Sequence, residues 1–169
     1  QDPNLSMVYI RGEGGGAILN RNGKLRKLNL KNANMISSSV YYGFSPSGKY
    51  VTFSTNVIIP AFHANAEKRL EVYDSKSDVY VADLDNNHII SSPLTSDSTH
   101  LETFPTFSPD GKYVYYCAAD RKALESTNLK GLKYSLVRIP FDEKTGSFGT
   151  KVDTLYKERS VCHPKISPD

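Results

Sequence analysis

The sequence predicts an all-β fold: an incomplete β-propeller of four-stranded antiparallel blades, about two to three of which are present. Three observations predict it. Phe44-Ser-Pro-Ser-Gly-Lys-Tyr-Val51 returns as Phe107-Ser-Pro-Asp-Gly-Lys-Tyr-Val114, and a third copy opens at Ile166-Ser-Pro-Asp169. The copies stand 63 and then 59 residues apart, and self-similarity at a near-fixed period marks a repeat architecture. Short aromatic and β-branched runs surround each copy, and no long segment keeps a helical period.

Ser-Pro-Asp-Gly is turn chemistry: proline pre-sets φ at the second position, Asp or Ser suits the third and glycine the fourth. Val40-Tyr-Tyr-Gly-Phe44 and Lys49-Tyr-Val-Thr-Phe-Ser54 flank the first turn, and Thr103-Phe-Pro-Thr-Phe107 and Lys112-Tyr-Val-Tyr-Tyr-Cys117 the second. All four read as strands, with Pro105 placed at a strand start because it lacks a donor. Each unit then supplies a second hairpin. In the first, Ser77–Asp83 alternates with period two, turns at Leu84–Asn87 and continues in His88–Ser92. In the second, Tyr134–Ile139 leads through Asp142–Gly146 to Lys151–Tyr156. Four strands per unit is the composition of a propeller blade.

Before the first motif, Ser6–Ile10 reads as a strand, Gly12–Gly16 as a break, and Ala17–Asn20, Arg21–Gly23 and Lys24–Leu28 as a hairpin. This is the outer half of a preceding blade. The repeats are therefore a partial blade at 1–39, blades at 40–102 and 103–160, and the start of another at 161–169, within one partial propeller covering 1–169. Units of this length exceed the roughly 40–45 residues of a WD-type blade. The excess lies at Asn56–Glu71 and Asp120–Lys133, between the second and third strands of each unit. Ala61–Leu70 is expected as a short helix or lid-like loop. Insertions at equivalent positions fall on one face, which is often the binding face.

Composition bounds the function. The chain has 169 residues, 38% hydrophobic and 11% aromatic, enough apolar content for a core. Its longest apolar runs fall far short of the roughly 18 residues that span a bilayer, so no membrane span is expected. A net charge of +3 with dispersed basic residues argues against a nucleic-acid partner, and Gly23–Lys27, the densest basic cluster, reads as a solvated turn.

No Gly-x-Ser-x-Gly and no phosphate-binding Gly-x-x-x-x-Gly-Lys-[Ser/Thr] pattern occurs, and Gly12–Gly16 has the wrong spacing for a phosphate cradle. His63, His88, His100 and His163 are dispersed. Cys162-His163 lacks a second pair to complete a metal site. Asp83–Asn87 begins like a calcium loop, but the sixth position is His88 and the twelfth Leu94. No catalytic, cofactor-binding or metal-ligating residue is assigned, no cofactor is expected, and binding residues stay unassigned. Cys117 and Cys162 are either two buried small side chains or a disulfide, since each adjoins a repeat motif. Tyr41, Tyr42, Tyr113, Tyr115 and Tyr116 either pack between blades or line a recognition surface.

Pro105-x-Phe107-Ser-Pro-Asp-Gly-Lys112 with its Tyr-Val-Tyr-Tyr strand, and Asp78–Leu84 with Pro93-Leu-Thr95 in the preceding unit, resemble the TolB-type propeller repeat. The longer pattern looks like the TolB-like periplasmic proteins of Bacteroides and relatives. The first copy departs from it at Ser47 and Gly43, changes that keep the turn. The resemblance implies a periplasmic or cell-envelope location and protein–protein interaction. The expectation is a non-enzymatic propeller segment that binds a protein partner. Alternatives are a carbohydrate- or peptide-binding propeller, or an accessory domain of a hydrolase whose catalytic part lies elsewhere. An incomplete ring exposes faces and edges, so the chain is read as a fragment that self-associates.

Overall fold

A computed structural model describes residues 4, 6–10, 17–28, 39–62, 70–125, 132–159 and 161–167. Gly12–Gly16 and His63 lie outside them. Three antiparallel sheets follow one another along the chain. The first holds β1 (Met7–Ile10), β2 (Ala17–Asn20) and β3 (Leu25–Lys27). The second holds, in sequence order, β4 (Ser39–Phe44), β5 (Tyr50–Phe62), β6 (Leu70–Asp83) and β7 (His88–Ile90). The third is built on β8 (His100–Phe107), β9 (Tyr113–Asp120) and β10 (Tyr134–Asp142).

The two complete motifs make the same turn. The N–H of Ser45 donates to the carbonyl of Tyr50 at 2.9 Å, and that of Ser108 to Tyr113 at 2.9 Å. Each serine hydroxyl accepts from the return strand's amide, Tyr50 at 3.2 Å and Tyr113 at 3.0 Å. Gly48 and Gly111 both sit at φ 72°, where a Cβ would strain the backbone. Ser47 takes Asp110's place without changing the turn: each bonds the amide of the following lysine, at 3.2 and 3.1 Å.

Alternation puts different residues on the two faces of the second sheet. Val51, Phe53, Tyr80 and Ala82 pack against Ile18 and Leu28 of the first-sheet region, with Met7 and Tyr9 at the margin. Tyr50, Val79 and Val81 pack against Val114, Tyr116, Val137, Ile139 and Phe141 of the third sheet. Val51, Phe53, Val79, Val81, Val114 and Ile139 have no exposed surface, and each such side chain contributes about 1.5–3 kcal/mol. Polar ties fix the second interface. Tyr50 Oη donates to the Glu143 carbonyl at 3.0 Å, and Asn56 Nδ2 to Thr103 Oγ1 at 3.1 Å.

Three expectations change. The first insertion extends the hairpin: β5 and β6 stay paired from Tyr50↔Asp83 to Phe62↔Leu70. The residues of Ala61–Leu70 that are described, 61, 62 and 70, are therefore strand rather than helix or lid. The run Val57-Ile-Ile-Pro-Ala-Phe62 is rich enough in apolar and β-branched residues to prolong the ladder. In the second insertion, α1 (Lys122–Glu125) follows β9. Pro105 is inside β8, at a bulge between Thr103 and Thr106, where an unpaired position tolerates the missing donor.

The third change is the outer strand of the third sheet. It is split into β11 (Ser147–Phe148) and β12 (Asp153–Arg159), both on β10. A residue's N–H and C=O point to the same neighbouring strand. The Pro140 carbonyl accepts from Gly149 at 2.7 Å, so its missing donor falls on that edge and interrupts the ladder. Gly149 permits the approach, because a Cβ there would come within 2.9 Å of Pro140 Cβ.

Gly149→Ala should therefore destabilise the fold by about 1–3 kcal/mol through overpacking, read by urea denaturation. An unchanged midpoint would contradict this account of the broken edge.

Candidate functional site

A cavity of about 640 Å³ lies against the third sheet at the end that carries the insertions. Two cross-strand rows make its floor. Glu102, Ala118 and Ser135 form one, and Tyr116, Val137 and Thr154 the other. Leu94 and Asp97, on the connection from β7 to β8, line it as well, and the Tyr116 hydroxyl anchors that connection by donating to the Leu94 carbonyl at 3.0 Å. Asp120, Ala123 and Lys133 line it from the second insertion, and Lys157 from β12. A smaller hollow of about 240 Å³ shares Asp97 and His100 and adds Lys76, Asp78 and Arg121.

Glu102 is the unusual group. It is 2% exposed, and its Oε2 is buried without a hydrogen-bond partner. Burial, reinforced by the charges of Asp78 and Asp97, pushes its carboxyl up to about 9. The group is thus a neutral acid at pH 7; backbone amides of Asp97 and Glu102 itself bond its carboxyl, and Oε2 alone is left unpaired. Asp97 behaves oppositely. Burial alone would raise it, but Thr99 and His100 bond its oxygens and hold it below the usual carboxylate range, with His100 Nδ1 at 3.0 Å. Burial raises Asp78, partly opposed by the Tyr80 hydroxyl at 3.1 Å and by Lys76 and Arg121. Glu102, Asp97 and Asp120 line the cavity together with Lys133 and Lys157. Among the described residues, no group of three His, Cys, Asp or Glu could hold a metal ion.

A second constellation sits at the start of each repeat. Tyr41, Phe104 and His163 each precede their motif's first residue by three positions, and all three have left-handed backbones, with φ of 53°, 55° and 49°. The first two fall in bulges of β4 and β8, which re-aim a side chain. Their rings converge. Phe104 and His163 are 3.9 Å apart between centroids, Tyr41 and Phe104 4.6 Å, and Tyr41 and His163 5.4 Å. Left-handed φ costs an L-residue about 1–2 kcal/mol, and each ring contact returns about 0.5–1.5 kcal/mol, so the cluster offsets its own strain. Tyr41 remains 43% exposed.

The tyrosines divide between the two readings. Tyr42 stacks on Tyr9 at 3.7 Å between the first two sheets, and Tyr116 is core. Tyr113 and Tyr115 lie on the other face of the third sheet, where Arg138 covers the Tyr113 ring at 4.2 Å. Tyr41 belongs to the ring cluster. The calcium-like Asp83 spends its carboxylate within its own turn, accepting from the amides of Asp85 and Asn86 at 2.9 and 3.0 Å. His88 is exposed at the start of β7. Sequence reasoning missed Glu102, because a lone glutamate in a strand carries no spacing signal. It also missed the alignment of Tyr41, Phe104 and His163, although their intervals are those of the motif.

No family model matches the sequence, and no curated protein matches it. Among solved structures, the chain is similar to the crystal structure of Porphyromonas gingivalis dipeptidyl peptidase 4, with a TM-score of 0.46 and 9% identity. The similarity covers 88% of this chain and 31% of that one. No helix among the described residues is long and apolar enough to cross a membrane.

Two outcomes follow from these groups. A carboxyl raised by folding stabilises most below its unfolded pKa near 4.5, and that contribution is lost as pH rises toward the folded value near 9. Glu102→Gln should therefore match the parent at pH 4 and exceed it by on the order of 3 kcal/mol at pH 7, measured by denaturant titration across pH. For the ring cluster, Phe104→Gly relieves the backbone that Phe104→Ala leaves strained. The glycine variant should be the more stable by about 1 kcal/mol, and the reverse order would contradict the strain.

Proposed function

We propose that the chain is a non-enzymatic segment of a TolB-like β-propeller of the cell envelope, with blades at 40–102 and 103–160, and that it binds a protein partner. The repeated turns and the face-to-face burial of successive antiparallel sheets support the propeller reading.

The recognition element is the cavity between the second-strand insertion and the connection to β8. The observation that carries this is Glu102: a buried acid beside Asp97 and Asp78 whose Oε2 has no hydrogen-bond partner. A cationic group entering there would draw the proton off Glu102 and pair with the resulting carboxylate. Lys133, exposed and in the cavity lining, suits a carboxylate on the same ligand. The ligand class is therefore a peptide segment of the partner that carries a basic side chain. A volume of about 640 Å³ is within the range of ligand pockets, roughly 300–1,000 Å³. The carbohydrate reading draws on a different observation, the half-exposed Tyr41 beside Phe104 and His163, where a sugar ring could stack.

Calorimetric titration with a tripeptide carrying a central lysine, against one carrying norleucine, tests the peptide reading. The lysine peptide should bind with release of a proton, seen as buffer-dependent heat, and at least about tenfold more weakly to Glu102→Gln, a loss of roughly 1.4 kcal/mol. Equal binding of the norleucine peptide would sink it.

A further inference from the structure

Cys117 lies on β9 directly across from Thr103 of β8. The ring of the next residue of β8, Phe104, lies 3.9 Å from that of His163 between centroids, and Cys162 immediately precedes that histidine. The backbone N–H of His163 also donates to the Cys117 sulfur. That amide nitrogen is two covalent bonds from the Cα of Cys162, whose charge also acts on the Cys117 thiol. Both cysteines are free thiols, Cys117 buried and Cys162 exposed. Disulfides join Cα atoms roughly 4.4–6.8 Å apart, and a main chain seated on the Cys117 sulfur suits that reach.

We propose that Cys117 and Cys162 form a reversible disulfide that clamps the 161–167 segment onto β9. The oxidant is a small-molecule disulfide such as glutathione disulfide. The exposed Cys162 thiolate attacks one of its sulfurs, forming a mixed disulfide and expelling one glutathione thiolate. The Cys117 thiolate then attacks the Cys162 sulfur and expels the second glutathione. In sum, two protein thiols lose two electrons and two protons, and two glutathione thiols are produced.

The second step is the slow one. Cys117 has no exposed surface, and burial together with the neighbouring Cys162 pushes its thiol up to about 12, leaving little thiolate at neutral pH. Tyr134 and His163 are the other titratable groups at this thiol. Once closed, the bond fixes His163 in the ring cluster with Tyr41 and Phe104. The covalent state of the two cysteines thus sets how firmly that cluster is assembled.

The test is incubation of the reduced protein with glutathione disulfide at pH 8, followed by intact-mass and non-reducing peptide analysis. The expected product is a monomer lighter by two hydrogens, with the peptides containing Cys117 and Cys162 linked. Its melting temperature should rise by roughly 5–10 °C over the reduced form. Cys117→Ser should stop at a single glutathione adduct on Cys162. A stable adduct on the parent protein, a linked dimer or two persistent thiols would overturn the proposal. Closure without any rise in melting temperature would overturn the clamp.

Discussion

The second sheet buries both of its faces, and the rest of the architecture depends on that. A sheet with one wet face can stand with a single partner; this one cannot. Val51, Phe53 and Tyr80 look one way and Val79 and Val81 the other, none more than 1% exposed. Neighbours are required on both sides, and the first and third sheets supply them. Period-two alternation then determines everything placed on those faces, because a slip of one residue would exchange the two cores.

The cavity follows from the same stacking. The two interior faces meet closely where Val79, Val81, Val114 and Ile139 interdigitate. Toward the insertion end the third sheet's floor turns to Ala118 and Ser135, too small to fill the gap. Glu102 stands in the space that remains, held from water by its neighbours, with its Oε2 left without a hydrogen-bond partner. Its neutrality is a product of packing rather than of any pairing motif.

Legibility in the sequence tracked how local the cause was. The Ser-Pro-x-Gly turns rest on residues within one short segment, and each strand adjoining them was predicted. The length of β5 and β6 was not, because pairing out to Phe62 and Leu70 depends on two segments finding each other. The split of β11 from β12 turns on Pro140 meeting Gly149 across strands, which no single stretch reveals. The ring cluster was half legible. The spacing of Tyr41, Phe104 and His163 is written in the repeat, but the left-handed backbone that gathers their rings is not a property of Tyr, Phe or His alone.

The broken outer edge has a bearing on solubility. A long straight strand at a sheet margin is an open template for another chain's backbone. Here the margin is interrupted at Pro140, which offers no donor, and Gly149 bends onto it, so an incoming strand meets two short, offset runs. Lys157 adds charge within the second run, and Lys151, 84% exposed, stands just before it. Leu155 and Tyr156 still show 42% and 60% of their surface, so the protection lies in the shape of the backbone rather than in the polarity of the side chains. A substitution that straightened this margin would convert a guarded border into a place where filaments can start.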